Sequence, residues 1–213
     1  MRCPDETGGR ARCARCLRPG AHCLCPLLPS LANRTPVLIL QHPQERRHAL
    51  NTGRLAALGL QQARLECGLR FDPALWLRPG LAPALLFPGP QALPLAAGTL
   101  PPPGELLLVV PDATWRHARS LIHHNPALAA LPRLALPAGP PGGYRVRKAP
   151  GPQALSTVEA VARALDVLDA PARHDALLRP FEALVQGQIQ AMGPQVYARN
   201  YPGADAGARR GLS

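Results

Sequence analysis

Five apolar residues, Leu106 to Val110, run without a break into Pro111-Asp-Ala-Thr-Trp115 and then into a basic segment carrying Arg116, His117 and Arg119. That order restricts the fold more than anything else in the chain. A continuous apolar strand has to be covered on both faces, and a strand that empties into a helix is the repeating unit of open α/β sheets. In such sheets, ligands bind beyond the C-terminal ends of the strands. Asp112 therefore offers a carboxylate where a ligand is expected, Thr114 a hydroxyl and Trp115 an aromatic plane, with cations on the helix behind. An acid, a stacking ring and guanidinium groups within eight residues point to chemistry on a nucleic acid.

The same alternation extends along the chain. Residues 36–40 read as a buried strand, 51–60 as a short helix capped by Asn51 or Thr52, 63–67 as a second strand and 81–87 as a third, weakened by Pro83. Residues 88–104, rich in Pro and Gly, form a long connection that is either an active-site loop or a surface excursion. Short strands at 134–136 and 144–146 flank a turn-rich stretch. Ser156-Thr-Val-Glu159 is a capping box opening a helix to about 168, and a last amphipathic helix spans roughly 175–192. Buried strands separated by helices predict an α/β fold with a mostly parallel sheet.

A chain of 213 residues suffices for one domain of ordinary size and a small appendage. Segmentation predicts an N-terminal zinc knuckle in 1–30, a catalytic domain in 31–200 and a disordered tail in 201–213. Lys plus Arg total 24 against 13 Asp plus Glu, a net charge of +11, and Lys148 is the only lysine. Coding bias exchanges Lys for Arg at constant charge, so it does not explain the excess. An anionic partner does, with RNA or DNA ahead of a membrane surface. The first ten residues hold no apolar segment and no run approaches the ~20 residues needed to span a bilayer, which predicts a cytoplasmic protein without membrane association. No obligatory protein partner is evident.

In a cytoplasmic chain, cysteines act as thiolates or metal ligands more often than as disulfides. Cys13, Cys16, Cys23 and Cys25 fall within thirteen residues, with Pro19-Gly20 turning the chain between the two pairs. Two facing knuckles make a tetrahedral all-sulfur site that suits structural zinc, and four thiolates leave no open position for catalysis. A redox pair is the alternative.

Four polar groups carry the remaining signal. Gln41-His-Pro-Gln-Glu-Arg-Arg-His48 leads into Asn51, Thr52 and Arg54, where cations and a helix start can receive phosphate; a solvated loop is the alternative. Leu85-Leu-Phe-Pro-Gly89 ends a strand on an apolar surface able to face a flat base. Asp112 either reacts or merely caps the next helix, and Trp115 either stacks on a ligand or fills core. Tyr144-Arg-Val-Arg-Lys148, followed by Ser156, Thr157 and Glu159, offers bidentate cations and free amide groups.

Taken in order, these motifs resemble the DTW-domain family: the cysteine cluster with Arg18-Pro19, Gln41-His-Pro-x-Glu45, Asn51-Thr52, Leu86-Phe-Pro-Gly89, Asp112-x-Thr-Trp115, Tyr144-x-x-Arg-Lys148 and Ser156-Thr-x-Glu-Ala160. The resemblance covers about residues 13–190. It implies a SPOUT-like knotted core, S-adenosylmethionine as co-substrate and transfer of its 3-amino-3-carboxypropyl group to N3 of a tRNA uridine. Asp112 is then the expected base, with Thr114 orienting it or the uracil. Leu86, Phe87, Pro88, Gly89, Val110 and Trp115 are expected against the adenosine; Tyr144, Arg147, Lys148, Ser156, Thr157 and Glu159 complete the co-substrate site. Arg46, Arg47, Asn51, Thr52, Arg54, Arg116 and Arg119 are expected at tRNA, extended by Arg12, Arg15 and Arg18 of the knuckle. Ala113 departs from the family's frequent Gly, which matters only at φ > 0. A SPOUT-like RNA methyltransferase and a non-catalytic, zinc-stabilised RNA-binding protein are the alternatives.

Overall fold

The computed structural model describes residues 12–46, 48, 50–96, 100–143 and 154–201. Six strands, β1 (Val37–Gln41), β2 (Ala63–Cys67), β3 (Ala82–Leu86), β4 (Leu93–Pro94), β5 (Leu106–Asp112) and β6 (Arg133–Ala135), pair in the order β2-β1-β5-β3-β6-β4, every pair parallel. Among the described residues, the α-helices are α1 (Pro43–Arg46), α2 (Gly53–Gly59), α3 (Trp115–His123), α4 (Pro126–Ala129), α5 (Thr157–Leu168), α6 (Leu178–Met192) and α7 (Pro194–Asn200).

The apolar run that ends at Asp112 became the central strand because both of its faces find cover. Leu106, Leu108 and Val110 join Val37 and Ile39 beneath α2, α5 and α6, while Leu107 and Val109 join Leu38, Leu40 and Leu85 beneath α3 and α4. Trp76, 0% exposed, closes this second face. The chain thus adds β2 on one side of β1 and inserts β5 between β1 and β3, so the carboxyl ends of β1, β5 and β3 lie at a reversal of strand order, where open α/β sheets leave a crevice.

Helix α5 is pinned at both ends. Asp169, its C-cap and 1% exposed, accepts the Arg34 and Thr35 N–H groups at 2.7 and 3.1 Å and the Thr35 hydroxyl at 2.6 Å, where the chain enters β1. At the opposite end Thr157 bonds Asp112 at the end of β5. The helix therefore runs back across the sheet, and its N-terminus is held over the strand ends.

Several boundaries differ from expectation. The last helix opens with a 3-10 turn, Asp175–Leu177, before α6, and α1, α4 and α7 are short helices that periodicity over so few residues does not reveal. The 88–104 connection contributes β4 at the sheet edge, placing exposed Leu93 there. The strand expected at 144–146 and the tail after Tyr201 lie outside the described residues, as do 144–153, which lead into α5 and bear on the expected knot. No helix among the described residues is long and apolar enough to cross a membrane.

Candidate active site

Parallel register sets Asp112 beside Gln41, the last residue of β1. The carboxylate is 4% exposed and both oxygens are engaged: Oδ2 accepts from Gln41 Nε2 at 2.7 Å and Oδ1 from the Thr157 hydroxyl at 2.6 Å. Hydrogen bonds to an ionised acceptor are roughly twice as strong as neutral ones. Gln41 Nε2 also donates to Asn51 Oδ1 at 3.0 Å, and that oxygen accepts the Arg54 N–H at 3.2 Å. Strands β1 and β5 and helices α2 and α5 consequently meet at one buried acid. Gly53, first in α2, makes the approach possible, because a Cβ there would overlap the Asp112 carboxylate. Gly53→Ala is expected to cost about 1–3 kcal/mol through overpacking. A urea unfolding midpoint equal to that of the parent would show that the carboxylate has room to spare.

Capping of α3 falls to Thr114, not to Asp112. Its Oγ1 accepts the His117 N–H at 3.3 Å, and its own N–H donates to Glu45 Oε1 at 3.1 Å. The hydroxyl that meets Asp112 is that of Thr157. Glu45 is 6% exposed and fixed in α1, not a flexible loop residue. His42 stacks face to face on His117, centroids 4.4 Å apart and planes within 4°. Burial, then the neighbouring His117, lowers the His42 pKa, with Glu45 opposing.

Beside this acid lies a cleft of about 840 Å³, lined by Leu86, Phe87, Pro88, Val110, Leu134 and Leu136, with Thr157 at one side. That volume suits a cofactor-sized ligand, and such sites are mostly apolar with a few polar groups. Trp115 also lines it, 37% exposed and tilted against Phe87 with centroids 5.5 Å apart, so Trp115 is not core; Trp76 is. Gly89 lies near by in sequence, under the Arg133 guanidinium. Ser156 and Glu159 form the expected capping box: Glu159 Oε2 accepts the Ser156 N–H at 2.8 Å and its hydroxyl at 2.6 Å, while Oε1 takes the Gly143 N–H at 2.5 Å. Glu159 thus holds Gly143 and Ser156 against α5.

Of the residues expected at tRNA, Arg116 and Arg119 are exposed on α3, and Arg46 is partly buried in α1. Arg54 is partly buried, and its pKa is lowered by burial and then by Arg46. Asn51 and Thr52 are 7% and 4% exposed, and Asn51 Oδ1 belongs to the Asp112 network through Gln41. Arg47, Tyr144, Arg147 and Lys148 lie outside the described residues. Two residues escaped the sequence reading as site residues. Gln41 pairs with Asp112 only once β1 and β5 are in register, and Arg163 enters the cleft as the next residue of a stripe begun by Thr157 and Ala160. Thr157, expected at the co-substrate, also reaches Asp112 across 45 residues.

The four N-terminal cysteines bring their sulfurs within 4.8 Å of one another. Contacts run between the pairs, Cys13 to Cys25 at 3.6 Å and Cys16 to Cys23 at 3.7 Å, near the edge of about 3.8 Å that a tetrahedron with metal–sulfur bonds of ~2.3 Å requires. Leu17 adopts φ 59° in the first knuckle, and hydrogen bonds from the Cys16 and Arg15 backbone lower the Cys13 pKa to about 6. Burial and the other sulfurs push Cys25 up to about 12. Four thiols in one cage cannot all ionise without a cation among them, so the donor set fits a metal ion.

The DTW domain matches residues 10–189. Relatives include tRNA-uridine aminocarboxypropyltransferase 2 of Macaca fascicularis (33% identity, 85% of this chain and 64% of the relative) and of Drosophila melanogaster (33%, 87% and 78%). The tRNA-uridine aminocarboxypropyltransferase A of Arabidopsis thaliana is 31% identical over 78% of this chain and 75% of its own. The chain thus spans just under two thirds of the macaque relative. No solved structure matches it. With the match covering the cysteine cage, the Asp112 network and the cleft together, the chain belongs to the DTW-domain family.

Proposed function

We propose that this protein transfers the 3-amino-3-carboxypropyl group of S-adenosylmethionine to N3 of a tRNA uridine and releases 5′-methylthioadenosine. The observation that carries this reading is the apolar cleft that opens beside a buried, doubly hydrogen-bonded aspartate, in a chain whose relatives bear that activity in their names. Leu86, Phe87, Val110 and Leu134 suit the adenosine, and Trp115 supplies an exposed plane for its base or for the uracil. S-adenosylmethionine provides an electrophilic carbon next to a sulfonium leaving group. As the N3–carbon bond forms, the carbon–sulfur bond breaks, sulfur keeps the electron pair, and the N3 proton passes to the chain.

Asp112 is the base in this scheme, reached through Thr157. Thr157 lines the cleft and its hydroxyl already donates to Asp112 Oδ1; in this scheme that hydroxyl takes the N3 proton while handing its own to the carboxylate. Gln41 holds the other oxygen, which keeps the acid oriented. The tRNA backbone lies across Arg46, Arg54, Arg116 and Arg119, with Arg47 and the knuckle arginines extending the track; a chain of net charge +11 suits it. Zinc is the metal in the four-cysteine cage, and a cytoplasmic setting keeps those thiols reduced. Incubation with unmodified tRNA and S-adenosylmethionine tests the reading by the coproduct, identified by mass spectrometry. We expect 5′-methylthioadenosine. S-adenosylhomocysteine alone would make the protein a methyltransferase, and neither product would leave an RNA-binding protein.

A further inference from the structure

We infer that Arg163 anchors the carboxylate at the amino-acid end of the donor, an assignment that rests on the reading above. The cleft wall is apolar over most of its extent, and a cation in such surroundings is costly unless something pairs with it. Arg163 lines the cleft and is partly buried, and among the described residues it has no hydrogen-bond or ion-pair partner. Helix α5 presents Thr157, Ala160 and Arg163 to the cleft at three-residue spacing, one stripe along its surface. Thr157 begins that stripe by holding Asp112, and Arg163 follows about 9 Å further along the axis at ~1.5 Å per residue. One helix face therefore carries both the contact to the acid and a free guanidinium, with only a methyl group between them.

The loop opposite leaves space for this side chain. Gly139 has no Cβ where the guanidinium lies, and one placed there would come within 3.1 Å of Arg163 Nη1. Arg119 is the second arginine on the cleft, but it stands exposed on α3 one turn from Arg116, which suits phosphate. A guanidinium grips a carboxylate through two parallel N–H···O bonds, fixing direction as well as position. Held at its carboxylate, the amino-acid arm is the oriented substituent of the sulfonium and the methyl is not, which favours attack on the arm.

Calorimetric titration of the intact protein with S-adenosylmethionine and, separately, with 5′-methylthioadenosine, which lacks the arm, tests the assignment. Arg163→Gln is expected to weaken S-adenosylmethionine binding about 10- to 100-fold and to leave 5′-methylthioadenosine within about twofold, the second ligand reporting that the cleft is intact. Equal losses for both ligands, or no loss for either, would overturn the assignment. So would loss of the arm-dependent affinity in Arg119→Gln and not in Arg163→Gln. Failure of the unsubstituted protein to bind either ligand would instead overturn the underlying reading of the cleft.

Discussion

Asp112→Asn is expected to lower transfer to tRNA by about 100- to 10,000-fold, the usual worth of a positioned acid–base group, while tRNA binding stays within about twofold. The geometry explains why an isosteric change should be so costly. An amide can still accept from Thr157 at one atom, but its NH2 would face the Gln41 Nε2 donor that now bonds Oδ2 at 2.7 Å. Gln41 can relieve this by turning its amide, since its Oε1 is buried without a partner, but Asn51 Oδ1 then loses the Gln41 donor and keeps only the Arg54 N–H. The proton acceptor disappears while the shape of the site persists. Thr157→Val should give a smaller loss that Thr157→Ser restores, because only the hydroxyl connects the cleft to the acid. Single-turnover rates with saturating tRNA and a filter-binding curve for each variant check this. Undiminished turnover in Asp112→Asn would remove Asp112 from the reaction.

Loss of the cage metal is the second large effect. Zinc ligation supplies on the order of 10 kcal/mol to small all-sulfur or mixed sites, much of it as folding free energy. Here the knuckle is joined to the main core: Leu24 is 8% exposed within the cluster that includes Val37 and Leu55, and Leu28 and Leu31 pack against it. Cys16 itself is 4% exposed. Cys16→Ala should therefore eliminate bound zinc, from one ion per chain to none. It should also lower the thermal midpoint by about 5–10 °C, equivalent to ~2–3 kcal/mol for a chain of this size. Elemental analysis and a melting curve, each compared with chelator-treated parent protein, measure both. A variant that retains its zinc and its melting point would show that the four sulfurs do not form one site.

Local patterns were legible and long-range partners were not. The apolar run before Asp112, the capping box at Ser156 and the cysteine pairs each reflect a rule acting over a few residues, and each stands where that rule put it. The alternative reading of Asp112 as the cap of α3 does not hold, because Thr114, two residues on, has the extended backbone that a cap requires and an amide-facing hydroxyl. The solvated-loop alternative for residues 41–48 stands in the sequence because one helical turn gives no periodic signal, yet the Glu45 carboxylate there receives the Thr114 N–H from 69 residues away. The partner of Asn51 is hidden from a local reading for the same reason: the Gln41 amide that bonds it belongs to the last residue of β1. Register is the missing quantity. Once Gln41 is set opposite Asp112, the hydrogen bonds around the acid follow from side-chain reach.

The central claim is that the amino-acid arm of the donor, and not its methyl group, goes to tRNA. Two preparations of S-adenosylmethionine, one radiolabelled in the carboxyl carbon and one in the methyl carbon, test it in parallel reactions with the same tRNA. We predict carboxyl label in the tRNA and methyl label in released 5′-methylthioadenosine. Methyl label in the tRNA, with the carboxyl label left in S-adenosylhomocysteine, would contradict the account.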